Sequence, residues 1–335
     1  MRIDAGRAPI WGFLAYFVLW SYFVGSALVS ACGVAVQALI PVFADSAQGK
    51  VVFGVASSLI GLVLVRLGGY AWFARVMSVC IGVMFLVVVA TAISLWPGTG
   101  AIVDGFVPSA EALRGDGLGW TVALLGGVGG TVTILCYGYW MQEEDREGLE
   151  QLTLSRIDLG IGYAVTALFG LGMVIIGSTV TVSGSGADLV VAVASALEGP
   201  LGPIGRWAFL VGAFGAVFSS LLGVWQAVPY LFADMVGLLQ TDARGGVDTS
   251  GAAYRRFSIA LAIVPLYGLF GSFREVQKIY AVVGASFMPL LAVALLIQNG
   301  RPILGRARNG ILATTALLTT VAFFAWVAGR EWFAP

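Results

Sequence analysis

The chain has 335 residues, 59% hydrophobic and 11% charged, with a formal net charge of zero and a mean hydropathy of +0.93. A soluble domain carries about 25% charged residues, so a soluble globular fold is excluded, and a neutral chain without a basic run excludes nucleic acid as a partner. The sequence has no histidine, which removes the commonest transition-metal ligand and proton shuttle, and histidine-based catalysis with them.

Apolar runs separated by short charged clusters predict an all-α polytopic membrane protein with the lipid bilayer as its solvent. The runs are too long and too continuously apolar for the roughly ten-residue alternation of a membrane β-barrel. Nine spans are expected in one transmembrane domain over 1–335, near 9–31, 51–66, 71–95, 120–141, 158–182, 205–234, 254–271, 278–298 and 309–328. The first follows Arg2 and Arg7 and runs into "VSAC" at 29–32, as a lipoprotein signal does. Its apolar run exceeds the roughly 7–15 residues of a signal-peptide core, so it is read as a span. Cys32, Cys80 and Cys136 lie in apolar runs without CxxC spacing and read as small buried residues.

Between spans, residues 97–119 form a polar loop carrying Asp104, Glu111, Arg114 and Asp116. The stretch "ADLVVAVASALE" at 187–198 is helix-like but too short to cross, and is expected to lie along the surface or cap the outer vestibule. Pro229 is expected to kink the long sixth span. With a cytoplasmic N-terminus, the 18 basic residues divide twelve inside to six outside, as the positive-inside rule requires.

The fourth span is the unusual one. It contains "GGVGGTVTILCYGYW" at 126–140, with Gly126, Gly127, Gly129 and Gly130 in five residues. Each glycine weakens a helix by about 1 kcal/mol relative to alanine. Either the glycines let another helix approach closely, or they break the helix so that freed carbonyls line a polar cavity. Thr131, Thr133, Cys136, Tyr137 and Tyr139 follow, placing polar groups where a packing span would carry leucine. From the residues alone the two readings stand level.

The same stretch, followed by "MQEEDREG", resembles the sixth helix and following loop of Nramp-type divalent metal transporters, in a divergent branch. "FVPSAEALRGDGLGWTVALLGG" before it and "GPLGPIGRWAFLVGAFGAVFSSLLGVWQAVPYLFADMV" after it are similar in the same order. The resemblance covers essentially the whole chain, placing the family's third helix at 9–31 and its eleventh at 309–328. It implies a LeuT-like fold of two inverted five-helix repeats with broken first and sixth helices. On that resemblance the fold is expected to be N-terminally incomplete here, the family's first two helices and their Asp-Pro-Gly-x-Asn break finding no match, by a truncated start or by true loss.

The family's sixth helix presents Ala-x-x-Met followed by Pro-His. Aligned to it, Gly130 stands at the alanine, Thr133 at the methionine, Ile134 at the proline and Leu135 at the histidine. Gly130 keeps a carbonyl, while Thr133 replaces a soft thioether with a hard oxygen, favouring Mg²⁺, Ca²⁺ or Mn²⁺. Gln226 is a neutral oxygen donor or a packing residue. Asp234 is a helix-end charge or part of the ion path. Glu143, Glu144 and Asp145 form a cytoplasmic cation-attracting vestibule or an ordinary solvated loop.

The resemblance therefore implies a secondary transporter of Mg- or Mn-like divalent cations across the cytoplasmic membrane, of the family's proton-symport type. It is not an enzyme and needs no cofactor, the metal being the transported substrate. The histidine replaced by Leu135 leaves the proton route open, and the sequence does not set the number of copies. The competing readings are a degenerate, non-transporting membrane protein of the same fold, and an amino-acid carrier in which Gly129, Gly130 and Thr131 hold the substrate carboxylate.

Overall fold

The first apolar run folds as α1, Ala8–Leu39, and continues well beyond the expected boundary at 31. The chain then forms α2 (Ser46–Leu67), α3 (Tyr70–Ser94), α4 (Thr99–Gly105), α5 (Asp116–Val128) and α6 (Cys136–Glu143). After these come α7 (Leu152–Thr179), α8 (Ala187–Gln240), α9 (Ala252–Ile263), α10 (Phe273–Ala285), α11 (Phe287–Asn299) and α12 (Ile311–Phe333). This computed structural model describes residues 8–67, 70–107, 116–128, 132–143, 149–179, 186–240, 249, 251–300 and 308–333. No strand occurs among the described residues, as lipid requires of a chain that does not close a barrel. The protein is an all-α, multi-pass membrane protein.

Two compact units are formed, one from residues 1–110 with 157–280 and one from 111–156 with 281–335. In the first, α1 buries a continuous stripe of Phe17, Trp20, Val24, Ala27, Val34 and Ala38 at helical spacing. Helix α8 answers with Phe218, Leu221, Trp225, Val228 and Met235. Helix α2 contributes almost no bulk. Its buried face is Gly49, Lys50, Gly54, Ser57, Ser58 and Gly61.

Lipid is as apolar as leucine, so close backbone approach and hydrogen bonds replace the hydrophobic effect as the force between such helices. A Cβ on Gly33 of α1 would collide with the Lys50 carbonyl and stand 3.0 Å from Gly54 N. One on Gly54 would stand 2.8 Å from Val29 O and 2.7 Å from Leu269 Cδ2. These glycines are required by neighbours, not by unusual dihedrals.

Nine spans were expected. Seven helices among the described residues are long and apolar enough to cross a membrane, or eight if the bent pair Ser78–Ser94 and Thr99–Gly105 counts as one. The pair turns through 112° at Pro97-Gly98, where Gly98 has φ 97°, so part of the expected 97–119 loop is helical. The expected span 254–271 is no single helix either. It is the 12-residue α9 followed by a 3-10 segment, Val264–Phe270.

Inside α8 the chain leaves helical dihedrals at Gly202 (φ 66°, ψ −168°), before the expected span in which Pro229 lies. A positive φ is unstrained only for glycine. The short arm N-terminal to Gly202 contains the 187–198 stretch and packs rather than floating on the membrane. Ala194 and Leu197 are fully buried in a cluster with Val34, Met84, Val88, Ile176 and Leu210.

Candidate functional site

Among the described residues, two apolar stretches pass from α-helix to a 3-10 segment, one in each unit. In the unit that holds α9, the change has an evident cause. Pro265 lacks an N–H and its ring displaces the carbonyl four residues back. Three side chains from neighbouring helices donate to carbonyls around the change. Ser58 Oγ of α2 donates to Ala262 O at 2.7 Å, and Ser26 Oγ of α1 donates to Pro265 O at 3.1 Å. Lys50 Nζ of α2 donates to Gly271 O, just past the end of the 3-10 segment, at 2.7 Å. Trp225 Nε1 of α8 donates to Ser58 O at 3.3 Å, carrying the chain of bonds to a fourth helix. Gly25 and Gly268 complete the fit, since a Cβ on either would stand 2.5 Å from Pro265 Cγ or Ser26 Oγ respectively. The signals for this element were Pro265 with Gly268 and Gly271, and the sequence reading passed over them.

The second change lies in the glycine-rich span. Helix α5 ends at Val128, a 3-10 segment occupies Val132–Leu135, and α6 resumes at Cys136. Gly129, Gly130 and Thr131 lie outside the described residues, as do Glu144 and Asp145 of the acidic run. Glu143 is the last residue of α6.

Gly126 has a definite structural role. A Cβ there would collide with Ala281 O and stand 2.6 Å from Ala285 N and 2.9 Å from Ala285 Cβ. Gly127 is looser, with Ala281 Cβ 3.8 Å away. Close packing therefore accounts for Gly126, and the helix-break reading is left to the glycines after it. Thr133 is half-buried in the 3-10 segment, and Cys136, the first residue of α6, is buried. On the far side of α6, Ser155 Oγ lies 3.9 Å from Met141 Sδ, tying α7 back to it.

Gln226 and Asp234 both lie on α8, half-buried and about 12 Å apart along the axis at 1.5 Å per residue. The Gln226 carbonyl accepts from Tyr254 Oη of α9 at 3.4 Å. One turn below, Phe232 stacks on Phe257 with centroids 4.1 Å apart. The structure thus brings Gln226 and Asp234 onto one helix. Thr133 belongs to the other unit.

Among the described residues no group of three or more His, Cys, Asp or Glu side chains converges to hold a metal. Helix α7 begins at Leu152, six residues before Asp158, where the expected span starts.

A family model described as natural resistance-associated macrophage protein-like matches residues 1–331. No curated protein matches the chain significantly.

Proposed function

This chain belongs to the Nramp family, and we propose that it transports divalent metal cations across the cytoplasmic membrane, preferring hard ions of the Mg²⁺ or Mn²⁺ type. The observation that carries the reading is the family match over nearly the whole chain. The all-helical, multi-pass build agrees with it.

The ion is held at the glycine-rich span, where the α-to-3-10 change brings Thr133 to a half-buried position. The Gly130 carbonyl and the Thr133 hydroxyl supply hard oxygens, and Gln226 is a neutral oxygen donor within the other unit. Gly129 and Gly130 are the breaking glycines, with Gly126 and Gly127 setting the approach of α10. Glu143, Glu144 and Asp145 form the cytoplasmic vestibule, and Asp234 lies on the ion path. The N-terminus is cytoplasmic, and the helices follow the LeuT-like inverted repeat.

One observation favours the competing, non-transporting reading: packing alone accounts for Gly126. The test is uptake by the purified protein in sealed liposomes. The expected result is saturable Mn²⁺ accumulation that Mg²⁺ inhibits and amino acids do not. An imposed pH gradient in the same assay reads proton coupling. Absence of uptake of every divalent ion would overturn the proposal in favour of the non-transporting reading.

A further inference from the structure

In the first unit, three arginines from two helices gather at one end of an apolar groove. Arg66, in the last turn of α2, donates from Nη2 to Arg255 O of α9 at 3.2 Å. That bond sets its guanidinium against the start of α9, beside Arg255 and Arg256. All three arginines are exposed, and among the described residues none of them is in an ion pair. Like charges held this close repel one another, so the cluster favours an anion. The backbone adds to it. Helix α9 starts after Gly251, and no side chain caps it. The first N–H groups of a helix are unsatisfied and carry its positive dipole end.

The groove lies between α1 and α9 and has a volume of about 120 Å³. Val18, Phe257, Ala260, Leu261, Val264 and Pro265 line it, and Ser21 beside them spends its hydroxyl proton on Phe17 O at 2.7 Å. Ala260 and Val264 follow Arg256 by four and eight residues, so they share its face of the helix. The groove thus begins about 6 Å along the axis from that arginine. The two helices run parallel. Phe17 stacks on Phe257 with centroids 5.9 Å apart, and further along both helices Ser26 Oγ donates to Pro265 O at 3.1 Å. This register puts Trp11, which is 58% exposed, level with Gly251 at the arginine end. Tryptophan concentrates where hydrocarbon meets headgroups. The arginines therefore stand at headgroup depth, and the groove runs from them into the hydrocarbon.

We propose that the α1–α9 groove and its arginine cluster bind one anionic phospholipid. Arg66, Arg255 and Arg256 hold the phosphate at the start of α9, and one acyl chain lies along the groove as far as Pro265. The charge selects this occupant. A zwitterionic lipid would bring its own cation to the cluster, a free phosphate would leave the groove empty, and an apolar protein segment would leave the arginines unpaired. Basic pockets between membrane helices recognise anionic headgroups by the same electrostatics. The inference stands apart from the transport reading; with the orientation proposed above, the lipid belongs to the cytoplasmic leaflet.

The test uses the full-length protein in detergent, with phosphatidylglycerol and phosphatidylcholine of identical acyl chains as probes and bound lipid counted by native mass spectrometry. The expected result is one phosphatidylglycerol held about tenfold or more tighter than phosphatidylcholine. Arg255→Gln and Arg256→Gln should each weaken it about fivefold, and the triple variant with Arg66→Gln about a hundredfold. Ala260→Trp should weaken it by filling the groove with the arginines intact. Arg75→Gln, at an exposed position of α3, should leave it unchanged. Equal affinity for the two lipids, or unchanged affinity in a correctly folded triple variant, would overturn the site. An equal loss in Arg75→Gln would also overturn it, since the attraction would then be spread over the surface. If Ala260→Trp has no effect and inorganic phosphate displaces the lipid, the arginines bind phosphate alone and the lipid proposal falls.

Discussion

The two spans that change from α to 3-10 helix differ in what surrounds the change. At α9 the carbonyls around it are occupied: Ala262, Pro265 and Gly271 each accept a hydrogen bond from a side chain of another helix. At α5 the neighbouring helix is brought close by the absence of a side chain at Gly126, and a hydroxyl residue, Thr133, sits in the 3-10 segment itself. In lipid every backbone polar group needs a partner. A break supplied with donors by its own protein is a structural joint. The ion site proposed above rests on the second kind of surroundings.

The comparison is broken most severely at Gly126. Gly126→Val would drive a branched side chain into Ala281 O and Ala285, and overpacking of this kind costs about 1–3 kcal/mol or more. The expected outcome is a large fall in thermal unfolding temperature in detergent, with little correctly folded protein recovered.

At the other joint, Lys50→Met removes a charged donor from Gly271 O and leaves that carbonyl without it, at a cost of about 1.5–3 kcal/mol. Thermal stability should fall clearly. No fall would mean the carbonyl finds another donor and the joint is less dependent on α2 than the geometry indicates. Ser58→Ala removes a neutral hydrogen bond, worth about 1 kcal/mol, and should be the mildest of the three. It should leave the order in which metals are taken up unchanged, because Ser58 serves the structural joint. A change in that order on Ser58→Ala would erase the distinction between the two breaks.

Much of the architecture was legible in the sequence because bilayer thickness converts apolar length directly into spans. Helices α1 and α7 run past the spans expected at 9–31 and 158–182 and carry polar residues such as Gln37 and Asp158 within them, which an apolar run alone does not reveal. The 254–271 stretch read as one span because its hydropathy does not record the change of helix type that Pro265 introduces. The break at Gly202, where a positive φ is needed, went unread because it falls just before the apolar run that marked the span.

The candidate site was legible only in part. Four glycines in five residues marked the span as unusual, but their individual roles depend on which helix lies opposite. Gly126 faces Ala281 and Ala285, residues more than 150 positions away in sequence. No local pattern distinguishes a glycine that admits a neighbour from one that frees a carbonyl.

The central claim is that the glycine-rich span holds a hard divalent ion through Thr133. Its most direct test is the relative uptake of Mn²⁺ and Cd²⁺ by liposomes carrying the unaltered protein or Thr133→Met. The account predicts that the thioether shifts preference toward Cd²⁺ by about tenfold, equivalent to about 1.4 kcal/mol. An unchanged ranking of the two metals, with uptake intact, would contradict it.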